Sequence, residues 1–224
     1  MTVLFVVATI VAFLGIDWMV QRSRAKDAAL AAAPVRSAEA QPFPLRVPEG
    51  IFFAKSHTWL SLFPSGKVRL GVDDFIANLL EQAEVTLIKT QGERVEKGDP
   101  LLVIAENGQA LTVRTPISGV VVSTNPKLEE KRGLKHADLF SDGWAYTIRP
   151  TKTEELRGLL IGNETRSWMS AELGRLRDFF AGAIANGMLA PAALQDGGAP
   201  APGALLHLGP EVWKRFEQQF LQSE

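Results

Sequence analysis

Residues 103–113, Val-Ile-Ala-Glu-Asn-Gly-Gln-Ala-Leu-Thr-Val, constrain the fold more than any other stretch. Two apolar arms flank the polar turn Glu106-Asn107-Gly108-Gln109. Asn-Gly is a strong short-range hairpin signal, because both residues tolerate the positive φ that tight strand-joining turns require. Arg114 to Gly119 contains a Pro/Gly break, after which Val120-Val121-Val122 starts a further strand.

The residues before the hairpin read as short strands separated by turns. Ile51-Phe52-Phe53 leads to Thr58 to Phe63, Pro64-Ser65-Gly66 turns the chain, and Lys67 to Val72 returns it. Asp73 to Leu80 predicts a short helix with Asp73 or Asp74 as N-cap. Glu84 to Ile88 is a strand, and residues 91–100 have turn residues at both ends. This order predicts a mainly β domain over residues 49–150, an all-β sandwich or flattened hairpin barrel with short helices.

Composition limits the chemistry. The 224 residues, 46% of them apolar, suit one core-bearing domain with extensions. A net charge of -1 argues against general nucleic-acid binding, which needs a basic footprint. There is no cysteine, which removes disulfides, thiol catalysis and cysteine-based metal sites. His57, His136 and His207 are too scattered to suggest a metal site by spacing. No nucleophile–base pair or phosphate loop stands out, so neither a catalytic residue, a metal nor a cofactor is expected.

Thr2 to Ile16 is uncharged and strongly apolar, Asp17 interrupts it, and Trp18-Met19-Val20 continues. A helix of about 20 residues spans a bilayer. Residues 2–21 are therefore expected to be a transmembrane signal anchor with Trp18 at the interface. Arg22, Arg24 and Lys26 follow the apolar run, whereas a secretory signal places its basic residues before it. The positive-inside rule then leaves the C-terminal domain in the cytoplasm, as a single-pass protein of the inner membrane. A cleaved signal, suggested by the Ala-rich residues 28–33, is the rival. Residues 22–48, with Pro34, Pro42, Pro44 and Pro48, read as a flexible linker with a stiffer end.

Residues 151–190 are expected to be helical. Thr153 to Leu160 has a possible cap in Thr153 and acidic residues in its first turn, and Thr165 to Ile184 gives a second pattern carrying Trp168, Leu173, Leu176, Phe179 and Phe180. Residues 191–224 comprise a loop, Pro191 to Pro202, and a terminal amphipathic helix opened by Gly209-Pro210-Glu211. Val212, Phe216 and Phe220 recur every four residues, with Trp213 and Leu221 widening the face. That face either packs on the β domain or binds a partner; the balanced charges Lys214, Arg215, Glu211 and Glu217 weaken a membrane-skimming role.

Five pieces in order resemble the glycine cleavage system H-protein family. They are His57-Thr58-Trp59, Gly71-Val72-Asp73-Asp74-Phe75, Gly92 to Asp99, Val121 to Asn125, and Asp142-Gly143-Trp144. The hairpin joins them: the family's Val-Glu-Ser-Val-Lys-Ala, then Ala-Pro-Val-Ser-Gly, stands against Ala105 to Ala110 and Thr115 to Gly119. The resemblance implies the lipoyl/biotinyl type of β fold and a role as carrier of a swinging lipoyl group. Two segments depart from it: Leu80-Glu81-Gln82 replaces Leu-Gly-Asp, and Arg132 to His136 replaces Pro-x-Leu-Val-Asn.

By the same resemblance the lipoyl lysine's position is occupied by Gln109, so the attachment site is degenerate. Lipoylation forms an amide on a nucleophilic amine, and a carboxamide nitrogen is delocalised into its carbonyl. No lysine lies in residues 98–126. The residues therefore predict a non-lipoylated, membrane-tethered adaptor or assembly module that binds protein partners. A true carrier component and a membrane-fusion-type adaptor are the alternatives. Glu106 is expected to be a solvated turn carboxylate, with a recognition role as the second reading, and Asn107-Gly108 to be turn chemistry. His57 is expected to pack or cap rather than act as a base, and Trp59 and Trp144 to lie in the core.

Overall fold

Strands form where β-branched and aromatic residues alternate between turn residues. The computed structural model describes residues 44–130, 134, 138–186 and 200–222. The apolar N-terminal stretch and most of the linker lie outside these residues, as does most of the loop expected over 191–202. Among the described residues no helix is long and apolar enough to cross a membrane.

Among the described residues, ten strands make two antiparallel sheets. They are β1 (Ile51–Ala54), β2 (Thr58–Leu62), β3 (Val68–Val72), β4 (Glu84–Leu87), β5 (Arg94–Val95), β6 (Pro100–Glu106), β7 (Gln109–Arg114), β8 (Gly119–Thr124), β9 (Trp144–Pro150) and β10 (Leu160–Ile161). The larger sheet runs β10-β1-β2-β3-β9-β8-β5, and the smaller runs β4-β6-β7. Buried side chains of both, among them Trp59, Leu70 and Ile148 from one and Leu102, Ile104 and Leu111 from the other, belong to one hydrophobic cluster. The predicted β class, the short helices and the hairpin are thus present.

Gly71 makes room for the core tryptophan. A Cβ there would lie 2.8 Å from the Trp59 indole nitrogen and 2.7 Å from the Gly143 carbonyl oxygen. Trp59 is fully buried, as expected; Trp144 is only half-buried, and the Arg69 guanidinium lies 4.7 Å over its ring. An aromatic face that stays partly exposed is favourably covered by a cation.

Helix α1 (Asp74–Asn78) starts at Asp73, whose carboxylate accepts from the backbone N–H of Phe75 and Ile76. Asp74, the other candidate cap, is instead held by Arg46: its two oxygens accept from the guanidinium and the backbone N–H of Arg46, each at 2.9 Å. This bidentate pair holds the Arg46 guanidinium above its usual pKa, and fastens Leu45 and Val47 to the core. The folded unit therefore reaches back into the Pro-rich end of the linker.

After β8 comes the short α2 (Lys127–Glu130). Thr153–Gly158 is a 3₁₀ turn rather than the expected helical start, and Lys152, not Thr153, holds the N-cap position. The physical reason is pairing: Leu160 and Ile161 are drawn to the sheet edge opposite Phe53 and Phe52, so the chain extends after Leu159. Helix α3 (Asn163–Ala185) then buries Met169, Leu176, Phe180 and Ala183. Trp168, Leu173 and Phe179 are half-buried against the same cluster.

The last helix, α4 (Pro210–Phe216), begins at Gly209 with Pro210 in its first turn, and a π turn follows over Glu217–Leu221. Its apolar face is spent inside the domain: Val212, Trp213, Phe216, Phe220 and Leu221 are all buried. Phe220 meets Phe75 of α1 and Phe179 of α3, with ring centroids 5.7 Å apart in both pairs. Of the two roles open to this face, packing on the domain is the one observed.

Candidate functional site: the hairpin tip

β6 and β7 pair from Pro100 opposite Arg114 to Glu106 opposite Gln109, which leaves Asn107-Gly108 as a two-residue turn. Asn107 has φ 50° and Gly108 φ 75°. Positive φ at both centres is the arrangement that Asn-Gly favours and that matches strand twist.

Glu106 corrects its expectation as a solvated turn carboxylate. Its residue is only 5% exposed. Oε1 accepts from the backbone N–H of Glu81 at 2.8 Å and of Gln82 at 2.5 Å. Oε2 is buried with no protein partner among the described residues. The reason is register. Leu102, Ile104 and Glu106 share one face of β6, and that face is buried. A carboxylate carried inward must find donors, and the chain leaving α1 supplies two. Main-chain groups do this work, so the contact does not depend on the Glu81 and Gln82 side chains. Period-2 counting along β6, from Leu102 through Ile104, is the signal that could have placed Glu106 inward.

Beside this anchor lies a cleft of about 470 Å³, lined by Glu81, Gln82, Glu84, Glu106 and the turn Asn107-Gly108, with Leu206 at its wall. Gln109 begins β7 and is half-exposed. It lines a separate groove of about 300 Å³ together with Trp213, Lys214, Glu217 and Gln218 of the C-terminal helix. Glu217 accepts from the Thr112 backbone N–H at 3.2 Å, clamping that helix to β7. Gly203 and Leu205 donate to the carbonyls of Asn78 and Leu79 at the end of α1, and Trp213 Nε1 donates to the Leu205 carbonyl. The C-terminal segment thus flanks the position that the sequence singles out, a contact that no local sequence signal indicated.

His57 lies in a different setting. It is fully buried, its Nδ1 is 3.0 Å from Asp73 Oδ2, and its ring stacks on Phe75 at 4.0 Å. The same Asp73 therefore caps α1 with one oxygen and positions His57 with the other. Tyr146 joins the two sheets: its hydroxyl donates to the Leu101 carbonyl at 2.6 Å and accepts from the Lys89 backbone N–H at 3.0 Å. Burial pushes this phenol up to about 12. At the surface, the Lys152 ammonium 2.7 Å from Glu96 holds that carboxyl below its usual range. Among the described residues no group of His, Cys, Asp or Glu side chains is placed to hold a metal.

The comparisons with known proteins cover this same part of the chain. The family model for glycine cleavage H-protein matches residues 51–172. The glycine cleavage system H protein of Shewanella loihica is 30% identical over 114 residues, 51% of this chain and 88% of that protein. That of Stenotrophomonas maltophilia is 29% identical over 114 residues, 51% of this chain and 87% of that protein. A crystal structure of a Mycobacterium marinum glycine cleavage system H protein is 23% identical, with a TM-score of 0.48, covering 55% of this chain and 99% of that one. With a match running from β1 into α3, this chain belongs to the glycine cleavage H-protein family.

Proposed function

We propose that this chain is a non-lipoylated member of its family, acting as a membrane-tethered adaptor or assembly module that binds a protein partner at the cytoplasmic face. The observation that carries this reading is Gln109 at the end of a well-formed hairpin whose neighbour Glu106 is anchored from within. Such a tip is rigid enough to be recognised, and it has no amine on which an acyl amide can form. The C-terminal helix beside Gln109 supports the same reading, since it narrows the space in which a swinging arm would move. The apolar residues 2–21 followed by Arg22, Arg24 and Lys26 support the tether and its orientation.

Intact mass spectrometry after co-expression with a lipoyl ligase tests the central point. The expected mass is that of the unmodified polypeptide, and a gain of one lipoyl group overturns the proposal. Affinity purification from membranes with residues 1–48 retained then identifies the partner. A reporter fused after Glu224 is expected to be active only in the cytoplasm; activity only outside it favours a membrane-fusion type of adaptor.

A further inference from the structure

At the end of the hairpin opposite its turn, three loops meet around a third cavity of about 440 Å³. The loop after β1 contributes Lys55, the β5–β6 turn contributes Lys97 and Gly98, and the residues leaving β7 contribute Arg114. Part of the wall is apolar, with Ala54, Pro116 and Leu221 buried and Leu159 half-buried; Ser56, Thr115 and Gln222 make up polar parts of it.

The lining carries three cationic side chains, Lys55, Lys97 and Arg114, and one carboxylate, Glu155. The Lys97 ammonium makes no ion pair among the described residues; only its backbone N–H is engaged, by Ser118 Oγ. Arg114 donates to the Gly98 carbonyl at 2.9 Å, a neutral acceptor that leaves its charge uncompensated. The carboxylate in the lining, Glu155, is turned to Ser118, whose N–H and hydroxyl it accepts at 2.5 Å and 2.9 Å. Of two nearby acids, Glu96 is paired with Lys152, whereas Asp99 accepts from the neutral Glu96 N–H and keeps its charge.

We infer that this cavity binds a small amphiphilic anion, a carboxylate or phosphate monoester on a short apolar chain. The head group meets Lys97 and the guanidinium of Arg114, whose planar fork suits oxyanions. The chain lies against Leu159, Pro116 and Leu221. The volume falls within the range of about 300–1,000 Å³ common for small-molecule sites, and an apolar wall with few convergent polar groups is their usual make-up. This ligand is independent of the partner-binding role, so the two proposals stand or fall separately.

Amide correlation spectra of the full chain, titrated with octyl phosphate and octanoate below their micellar concentrations, test the inference. Both anions are expected to shift the amides of Lys97, Gly98, Arg114 and Thr115 saturably. Octanol, octylamine and inorganic phosphate are expected to bind at least tenfold more weakly. Lys97→Gln and Arg114→Gln are each expected to weaken both anions severalfold without changing the octanol response. If Arg114→Gln fails to fold, the exposed Lys97→Gln carries the comparison. The inference is overturned if octanol or octylamine binds as well as the anions, if inorganic phosphate matches octyl phosphate, if the shifts fall elsewhere, or if Lys97→Gln leaves the affinities unchanged.

Discussion

The Tyr146 hydroxyl donates to the Leu101 carbonyl across 2.6 Å, joining β9 of one sheet to β6 of the other. The same oxygen accepts from the half-buried Lys89 N–H, so one phenol bonds two backbone groups. At nearly unchanged volume, Tyr146→Phe takes this partner from the Lys89 N–H and one of two donors from the Leu101 carbonyl, which keeps the Ile88 N–H at 2.8 Å. An unsatisfied buried group costs about 1–3 kcal/mol, and chemical denaturation should show a loss of that order.

The same residue gives an alkaline signature. Tyr146 is the single tyrosine of the chain, so its ultraviolet titration reads one group. Burial raises its pKa to about 12 in the fold, against about 10 in the unfolded chain. The folded state therefore favours the neutral phenol. Its contribution to stability is complete below pH ~10 and is lost as pH rises towards ~12. Between those values the stability difference between wild type and Tyr146→Phe is expected to shrink; a difference constant with pH contradicts the assignment.

Glu106→Ala should be more damaging than a turn substitution, because it strands the N–H groups of Glu81 and Gln82. The expected cost is about 1–3 kcal/mol, with faster amide hydrogen exchange at Glu81 and Gln82. Glu106→Gln keeps an acceptor oxygen and should recover part of the protection. Equal protection in wild type and Glu106→Ala would show that the carboxylate does not hold the tip.

Asp73 serves two partners through its two oxygens. Asp73→Ala removes the α1 cap, typically worth ~1 kcal/mol, and leaves His57 Nδ1 buried without its partner. Asp73→Asn retains an acceptor for the helix and should be milder. Thermal or denaturant unfolding of the two variants checks the order.

Much of this arrangement is legible in the sequence where short-range chemistry decides it. Asn107-Gly108 dictates the hairpin turn, Asp73 the helix cap, and Gly209-Pro210 the start of α4. Tertiary pairing decides what sequence reasoning missed. Glu-Glu-Leu after Thr153 has local helical character, yet Leu160 gains more by joining β1, so the helix is cut to a 3₁₀ turn. Glu106 looks like a turn residue by composition, and only its register with Ile104 and Leu102 reveals that it points inward. Contacts distant in sequence, such as Glu217 with Thr112, leave no local trace.

The C-terminal helix makes a last prediction about Gln109. On the proposed reading Gln109 stands where a lipoyl lysine would, and if the missing amine is the whole barrier, Gln109→Lys co-expressed with a lipoyl ligase becomes fully modified. Trp213, Lys214, Glu217 and Gln218 line the groove with residue 109, and Glu217 clamps their helix to β7. A ligase must therefore approach a flanked position. Modification of Gln109→Lys is expected to remain partial. Glu217→Gln, which weakens the clamp at Thr112, should raise it in the Gln109→Lys background. Complete lipoylation of the single variant, read by intact mass, shows that the helix offers no obstruction to a ligase at residue 109.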